Sequence, residues 1–236
     1  MDTSFSAKNT SVVLLAAGHG TRMMPLTADT PKPLLKIGDL SLIEHHIIRL
    51  ERLGFRHIVI NIAYLGTKIK QQLGDGKNYG LTIEYSDESE TGALETAGGL
   101  KQALSLIKSD PFLVVNADIW TDFDFTTLLK TTNSSQNTDG CLVMVPNPSH
   151  NIEGDFAIDL NGTLSTDSAL EKMTFSGIAL YRQAMYKNLS NGKHALGPLF
   201  KKLIGKKRLN GISYEGAWYD IGTPERLIEI NKQITS

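Results

Sequence analysis

The stretch SVVLLAA at residues 11–17 is a short, continuously apolar and partly β-branched run, and the glycine-containing sequence GHGTR follows it at once. Such a run is typical of a strand that is covered on both faces, as in a parallel sheet. Strand-like and helix-like segments then alternate as far as GCLVMV at residues 140–145. This order predicts an α/β fold with a mostly parallel sheet and helices on both of its faces.

Local patterns place several of the helices and turns. Ser41 and Glu44 form a capping box at the start of an amphipathic segment, and Thr223 precedes Pro224 at the start of another, so both segments are predicted helices. From about residue 150 the pattern changes to short strands, with an Asn-Gly turn at residues 161–162 that predicts a hairpin. No repeats or linkers interrupt the chain, so residues 1–236 are predicted to form one domain with an antiparallel portion in the second half.

Composition excludes several functional classes. The 236 residues are 41% hydrophobic and 21% charged with a net charge of −1, which argues against a nucleic-acid or membrane partner. The single cysteine, Cys141, cannot form an intrachain disulfide, and its apolar surroundings predict a buried thiol. The N-terminal residues 1–10 are polar, without the apolar region of a signal peptide, so a cytoplasmic protein is expected. A monomer or small homo-oligomer is expected as well.

The loop after the first strand matches neither of two well-known phosphate-binding patterns. A P-loop requires a second glycine five residues after the first, but Met23 occupies that position after Gly18. A dinucleotide-binding fingerprint requires a third glycine at the start of a helix, and here Pro25 interrupts any helix. Both interpretations are rejected.

The same loop nevertheless has the composition of an anion site. Gly18 and Gly20 allow main-chain N–H groups to approach a phosphate, and Arg22 offers a planar fork of donors. Lys32 lies between two prolines, which restrict its backbone and hold its cation in place. The alternative is a surface loop with solvated charges, but the loop leaves the carboxyl end of a strand, where ligands of open α/β sheets bind.

The order of these residues resembles the signature of the sugar-phosphate nucleotidyltransferases. The similarity covers nearly the whole chain and is carried by LAAGHGTRMMPLT at 15–27, PKP at 31–33, VINIAYLG at 59–66, VVNADIWTD at 114–122 and WYDIGTPERL at 218–227. This resemblance implies a Rossmann-like three-layer α/β/α sandwich. It also implies transfer of a nucleotidyl group from a nucleoside triphosphate to a sugar 1-phosphate, with release of pyrophosphate. Residues 10–146 would be the nucleotide-binding half, and residues 147–236 the sugar-phosphate-binding half.

Within the family, the chain resembles the short single-domain branch that makes UDP-N-acetylmuramate from UTP and N-acetylmuramate 1-phosphate in peptidoglycan recycling. The segments LETAGG at 94–99, GDFAI at 154–158 and TFSGI at 174–178 carry this resemblance. Mannose-1-phosphate guanylyltransferase is the main alternative. Glucose-1-phosphate uridylyl- or thymidylyltransferase is another, although LETAGG departs from the thymidylyl pattern.

The resemblance also implies roles for individual residues. Arg22, Lys32 and Asp118 would be catalytic, and Asp118 and Asp220 would bind Mg²⁺, which favours one or two carboxylates together with phosphate oxygens. The residues implied to bind the nucleotide are Leu15, Ala16, Ala17, Gly18, Gly20, Thr21, Arg22, Lys32, Glu95 and Gly98. Those implied to bind the sugar phosphate are Asn116, Asp155, Glu171 and Gly177.

Two more distant alternatives remain. Asp122-Phe123-Asp124 has the D-x-D form of a glycosyltransferase metal site, but Asp124 is more simply a helix N-cap. A catalytically inactive sensor of nucleotide-sugars would be expected to lack Lys32 or an aspartate, and this chain has all of them. The six histidines show no metal-binding spacing.

Overall fold

The computed structural model describes residues 6–90, 92, 94–131 and 138–235. The strands are β1 (Ser11–Leu15), β2 (Lys36–Ile37), β3 (Leu40–Ser41), β4 (His57–Ile62), β5 (Thr82–Asp87), β6 (Phe112–Asn116), β7 (Ile119–Thr121), β8 (Gly140–Val145), β9 (Phe156–Ile158), β10 (Leu164–Ser165), β11 (Lys172–Tyr181), β12 (Leu209–Ser213) and β13 (Trp218–Asp220). The α-helices are α1 (Leu42–Arg52), α2 (Gly66–Leu73), α3 (Glu95–Ala103), α4 (Thr126–Thr131), α5 (Leu196–Ile204) and α6 (Pro224–Thr235).

The main sheet has the strand order β5-β4-β1-β6-β11-β8-β12. Strands β5, β4, β1 and β6 are parallel, β11 runs antiparallel between β6 and β8, and β12 is parallel to β8. The short strands β9 and β10 extend the sheet beside the first residues of β11. The predicted α/β fold with a mostly parallel sheet is confirmed, because β11 alone runs against the other six strands of this order.

Two apolar cores cover the two faces of the sheet, as the alternation of side chains along a strand requires. Val12 and Leu14 of β1 face one core, with α1, α2 and α4 packed on it. Val13 faces the other core, beneath α3 and α5. The first strand is therefore buried on both faces, as its continuous apolar sequence predicts.

A third, smaller cluster lies at one end of the sheet. Met23 of the loop after β1 and Ile37 of β2 pack there against Leu227 and Ile230 of α6. This cluster joins the loop after the first strand to the last helix, more than 180 residues later in the sequence.

Most local predictions are confirmed. Glu44 accepts the Ser41 N–H at 3.0 Å in the predicted capping box, and α6 begins at Pro224 as expected. The predicted hairpin joins β9 to β10, with Gly162 at a φ of +77°. Cys141 is buried in β8, and burial raises the pKa of its thiol to about 11, so the thiol is unreactive at neutral pH.

The connections of the parallel strands create a reversal in strand order. The chain passes from β1 outward to β4 and β5, and then returns to the other side of β1 with β6. Loops that leave β1 and β6 at their carboxyl ends therefore diverge and leave a crevice between them. Among the residues that the structure describes, no helix is long and apolar enough to cross a membrane.

Candidate active site

The crevice at the carboxyl ends of β1 and β6 holds a cleft of about 230 Å³, called here the first cleft. Half of its lining comes from residues 15–33, which are the end of β1 and the loop that follows it. It is lined by Leu15, Ala16, Ala17, Gly18, Lys32, Pro33, Asn61, Glu88, Glu95, Thr96, Asn116 and Asp118.

The loop from residue 18 to residue 33 forms no α-helix, as predicted, but contains two single turns of 3₁₀-helix at Thr21–Met23 and Lys32–Leu34. The loop is tied to the rest of the fold through its main chain. The Tyr64 hydroxyl donates to the carbonyl oxygen of Ala28 at 2.9 Å, and Lys68 donates to that of Asp29. These contacts, one from the β4–α2 connection and one from α2 itself, hold the loop at the edge of the cleft.

The two glycines of the loop have different roles in its geometry. Gly20 has a φ of +65°, and a Cβ there would lie 3.0 Å from Cγ2 of Thr27, so glycine is required for the turn itself. Gly18 lines the first cleft, and a Cβ there would meet no atom within 4 Å. The backbone of Gly18 is therefore the one that is open to a ligand.

Lys32 is the cation at the base of the first cleft. Its Nζ lies 2.5 Å from Oδ2 of Asp118, although the lysine is only 8% exposed. Pro31 has an extended backbone that turns the chain into the short helix where Lys32 is the first residue. The prediction that the flanking prolines fix Lys32 agrees with this buried position, and the ion pair brings Lys32 and Asp118 together from residues 86 positions apart.

A buried polar network that the sequence interpretation missed forms the far wall of the first cleft. The Ala16 N–H donates to Oδ1 of Asn61 at 2.8 Å, and Nδ2 of Asn61 donates to Oε1 of Glu88 at 2.8 Å. Oε2 of Glu88 accepts the Leu94 N–H at 3.0 Å, and the residue is 1% exposed. Asn61 lies in β4 and Glu88 directly follows β5, so polar residues at the carboxyl ends of these strands were the available signal.

The start of α3 lies against this network. Glu95 has a φ of +58°, an uncommon value for a non-glycine residue, and it lines the cleft together with Thr96. The Gly98 N–H instead donates to the carbonyl oxygen of His194 at 3.1 Å, and a Cβ on Gly98 would lie 2.3 Å from the Gly192 carbonyl oxygen. Glycine is needed there for close packing of two segments.

A second cleft of about 380 Å³ adjoins the first and shares Asn116 and Asp118 with it. Its lining comes from both halves of the chain. It is lined by Arg22, Asn116, Asp118, Ile119, His150, Asn151, Asp155, Thr174, Phe175, Ser176, Gly177, Trp218 and Asp220.

Irregular backbone in β11 shapes the second cleft. Gly177 has a φ of +80°, and a Cβ there would lie 2.6 Å from Nδ2 of Asn116. The register of β11 against β8 shifts at this point, and Nε1 of Trp218 donates to the Ser176 carbonyl oxygen at 2.9 Å. Oδ2 of Asp155 accepts the Phe175 N–H at 2.8 Å. Asn116, Asp155 and Gly177 are thus brought together as predicted from the resemblance.

The predicted pair of carboxylates lies at the edge of the second cleft. Asp118 immediately precedes β7, and Asp220 pairs with Ile119 across the β7–β13 ladder. Oδ2 of Asp220 lies 2.5 Å from Nη1 of Arg226 and 3.1 Å from Nε2 of His150. The sequence interpretation did not single out His150 or Arg226. The clue for Arg226 was its place in the motif GTPERL, which begins two residues after Asp220.

The fit of this pair to a metal ion follows from its donor chemistry. Among the described residues there is no group of three or more side chains of the types His, Cys, Asp or Glu that could hold an ion alone. Two carboxylates that face one cleft are enough for Mg²⁺, because Mg²⁺ keeps water and substrate phosphate oxygens as its other ligands. The residues present therefore fit the predicted ion.

His46 supports this edge from the core. Its Nε2–H donates to the Ile119 carbonyl oxygen at 2.7 Å, one residue after Asp118. Burial lowers the pKa of the imidazole from 6.5 to about 4, so the ring is neutral at pH 7.

Some predicted residues do not line the cleft that their predicted role requires. Glu171 is exposed immediately before β11 and is not among the described residues that line either cleft. Gly20, Thr21 and Gly98 lie near the first cleft without lining it, and Arg22 lines the second cleft rather than the first.

The D-x-D alternative is not supported by the contacts of its two aspartates. Oδ1 of Asp124 accepts the Thr126 N–H at 2.9 Å and so caps α4, as predicted. Asp122 accepts a hydrogen bond from the Tyr214 hydroxyl. Neither side chain lines the two clefts among the described residues.

Comparison with known proteins identifies relatives along nearly the whole chain. The chain is 44% identical to N-acetylmuramate alpha-1-phosphate uridylyltransferase of Neisseria meningitidis serogroup B over 92% of its own length and 95% of the relative. It is 30% identical to the protein of the same name from Caulobacter vibrioides, covering 90% and 92%. It is 25% identical to mannose-1-phosphate guanylyltransferase catalytic subunit beta of Drosophila melanogaster, covering 92% of this chain and 60% of that protein.

A solved structure and a family model agree with these relatives. The structure of HddC from Yersinia pseudotuberculosis, complexed with GMP-PN, superposes with a TM-score of 0.78 at 21% identity, covering 95% of this chain and 99% of that one. The sequence model of the family described as "Nucleotidyl transferase" matches residues 11–154, which include the loop, Lys32 and Asp118. The chain belongs to the nucleotidyl transferase family.

Proposed function

We propose that this chain transfers a uridylyl group from UTP to N-acetylmuramate 1-phosphate, which yields UDP-N-acetylmuramate and pyrophosphate. The observation that carries the proposal is the pair of adjoining clefts that meet at Asp118, opposite the cation of Lys32. A reaction between two phosphate-bearing substrates needs two such binding regions and a charged junction between them. The 44% identity to the uridylyltransferase from Neisseria meningitidis supports the choice of substrates.

The proposed reaction needs no serine, cysteine or histidine nucleophile. The acceptor is a phosphate monoester, which is already an anion at pH 7, and it attacks the α-phosphorus of the triphosphate. Positioning and electrostatic stabilisation dominate phosphoryl transfer, and we extend this to nucleotidyl transfer. The protein must therefore hold two polyanions together and stabilise the charge that develops on the leaving pyrophosphate.

In this proposal the first cleft binds the nucleotide. The open backbone at Gly18 lets main-chain groups approach the triphosphate, and Lys32 offsets the charge of its phosphates. Glu95 and Thr96 lie beside the buried Glu88 network, on the side proposed for the ribose and base. Arg22, which lines the second cleft, is in reach of the acceptor phosphate rather than of the base.

The second cleft binds the sugar phosphate in this proposal, through Asn116, Asp155 and Gly177. All of its lining residues after Ile119 come from residues 147–236, the proposed sugar-side half, whereas the first cleft comes entirely from residues 10–146. Asp118 and Asp220 would hold Mg²⁺, which when bound neutralises phosphate charge. A cytoplasmic location belongs to the same proposal, because the donor substrate is UTP.

The test is a substrate matrix. The purified protein is given each of four nucleoside triphosphates with the 1-phosphates of N-acetylmuramate, glucose, mannose and N-acetylglucosamine, and pyrophosphate release is measured with and without Mg²⁺. We expect the highest kcat/KM for UTP with N-acetylmuramate 1-phosphate and loss of turnover after treatment with a chelator. An Asp118→Asn variant should need more Mg²⁺ for half-maximal rate.

Each contrary result of the matrix has a defined meaning. A preference for GTP with mannose 1-phosphate would replace the proposed substrates with those of the mannose-1-phosphate guanylyltransferases, to which the chain is also related. Full activity in the presence of the chelator would overturn the proposed metal. No release with any pair would overturn transferase activity itself and favour the inactive-sensor alternative.

A further inference from the structure

A third cavity of about 350 Å³, called here the side pocket, opens from the second cleft. The two share His150, Trp218 and Asp220 as a common wall. The first cleft therefore leads to the second at Asp118, and the second leads to the side pocket at Asp220. Nucleotidyl transfer itself uses only the first two.

The side pocket combines an apolar wall with one guanidinium and one imidazole side chain. Val145, Pro146 and Pro148 form the apolar wall, and His150 and Arg226 are the basic groups. Both basic side chains are only partly exposed, 35% for His150 and 23% for Arg226. A pocket of this kind suits a small group that carries both a carboxylate and an apolar carbon. The guanidinium can pair with the carboxylate, and the apolar wall can bury the carbon.

The geometry of Arg226 leaves part of its guanidinium for a ligand. Among the described residues its side chain donates only through Nη1, to Asp220 Oδ2 at 2.5 Å and to the Asp220 carbonyl oxygen at 3.2 Å, with His150 Nε2 also 3.0 Å away. The guanidinium packs over Gly222, where a Cβ would lie 2.9 Å from Nη2. A guanidinium has five donors in a fixed fork, so a second carboxylate can bind through Nη2 or Nε.

The acidic groups around the side pocket do not oppose this use. Glu215 and Glu229 also line it, but both are exposed, where water and salt screen their charges. Asp220 is already paired with Arg226, and it lies in the wall that the two cavities share. The guanidinium donors of Arg226 that Asp220 does not use therefore remain for a ligand carboxylate.

We propose that the side pocket is the subsite for the lactyl ether of N-acetylmuramate 1-phosphate, with Arg226 and His150 binding its carboxylate and the apolar wall contacting its methyl group. This inference rests on the proposed function. The lactyl group is what distinguishes N-acetylmuramate from N-acetylglucosamine, so the side pocket would be the place where the enzyme selects its sugar. Arg226 and His150 would then determine specificity without touching the reacting phosphates.

The test neutralises the carboxylate on the substrate and removes its partner on the protein. N-acetylmuramate 1-phosphate and its lactyl methyl ester are compared by kcat/KM for pyrophosphate release and by Kd from calorimetry without UTP. For the wild-type protein, we expect esterification to lower kcat/KM and to raise Kd by about 10- to 100-fold. This is the range for loss of a charge-assisted hydrogen bond. In Arg226→Gln, esterification should change kcat/KM and Kd by less than about threefold.

Control variants separate recognition from support of Asp220. Arg56→Gln removes an exposed arginine that pairs with Glu51 and should respond to the ester like the wild type. Arg226→Lys keeps a cation beside Asp220 but loses the planar fork of donors. Its discrimination against the ester should therefore fall, although Asp220 keeps a charged partner. An equal ester effect in the wild type and in both Arg226 variants overturns the side-pocket inference alone. No turnover of the unmodified sugar by the wild type overturns the proposed substrate and the inference together.

Discussion

The two clefts that meet at Asp118 are built in opposite ways. Half of the first cleft comes from one stretch of chain, residues 15–33, which is fixed by its own turns, prolines and a few main-chain contacts. The second cleft takes its wall from separate segments that lie between Arg22 and Asp220 in the sequence. A site on one stretch depends on a few local side chains, whereas a site assembled from distant segments depends on how those segments pack.

The largest expected effect is on the first cleft. Lys32→Ala removes the buried cation that faces Asp118 and should lower kcat by about 10²–10³-fold, the usual cost of losing a group that stabilises transition-state charge. The circular dichroism spectrum should stay that of the wild type. Steady-state pyrophosphate release is the measurement.

Lys36→Ala is the matched control, because Lys36 is an exposed lysine of β2 just after the same loop. It should keep wild-type kcat. Near-wild-type turnover in Lys32→Ala would show that Lys32 is a structural cation only.

The next effect concerns the support that both clefts share. His46 is buried with a pKa lowered to about 4, whereas in the unfolded chain it titrates near 6.5. Between these values the unfolded state binds more protons, so the stability of the wild type should fall as the pH falls from 6.5 towards 4, by up to about 3 kcal/mol. Urea unfolding at pH 7, 6 and 5 measures this loss.

His46→Gln is the control for the wild-type pH dependence, because an amide does not titrate but can still donate to the Ile119 carbonyl oxygen. Its stability should decrease less than that of the wild type over the same pH range. Parallel curves for the two proteins would contradict the role given to His46.

A smaller effect is expected where the second cleft depends on packing. Gly177→Ala places a methyl group 2.6 Å from Asn116 Nδ2 on a backbone with a φ of +80°, so it should lower stability by about 1–3 kcal/mol. The KM for the sugar phosphate should rise more than the KM for the triphosphate, because Asn116 has to move. Thermal unfolding and initial rates test both points.

Gly162→Ala isolates the contribution of the backbone, because Gly162 has a φ of +77° but open space around it. Its stability should fall by less than that of Gly177→Ala, about 1 kcal/mol, and neither KM should change. Equal losses in the two variants would mean that the contact with Asn116 has no cost.

The smallest effect is expected at Gly18. Gly18→Ala adds a methyl group that meets no protein atom within 4 Å, so the free energy of unfolding should stay within about 0.5 kcal/mol of the wild type. The KM for the triphosphate should rise several-fold, because the methyl group occupies space in the first cleft. Gly20→Ala should give the reverse, a loss of stability from a φ of +65°. A stability loss confined to Gly18→Ala would reverse the roles given to these glycines.

The contrast between a local site and one built from distant segments also separates what the sequence could predict from what it could not. The sequence was sufficient to predict the strand of residues 11–17, the loop with Lys32 and the family, because each of these depends on residues that are neighbours in the sequence. Lys32 and Asp118 meet across 86 positions, yet both were named, Lys32 from the prolines that flank it and Asp118 from the resemblance to the family. Parallel strands bring their carboxyl ends to one edge, so their trailing polar residues could be expected to meet there.

Glu88, His150 and Arg226 were missed for a physical reason. Each has its role through partners from other elements: Glu88 through Asn61 of β4, and His150 and Arg226 through Asp220 of β13. The positions of Glu88 after β5 and of Arg226 in the motif GTPERL were visible, but they do not show that the glutamate will be buried or that the arginine will turn back to the preceding strand. Gly98 was expected to face the nucleotide, but a glycine pattern cannot tell close packing of two segments from an open ligand site.

The small cluster that joins Met23 and Ile37 to Leu227 and Ile230 has a consequence for how the protein is made. During synthesis on the ribosome, the loop that carries Lys32 emerges early, but its packing partner in α6 emerges about 190 residues later. Until α6 is available, the apolar side chains of Met23 and Ile37 lack this cover on the emerging chain. A chain released before residue 224 would hold most of the family's motifs and still lack the apolar surface that packs against Met23 and Ile37, beside the loop that carries Lys32.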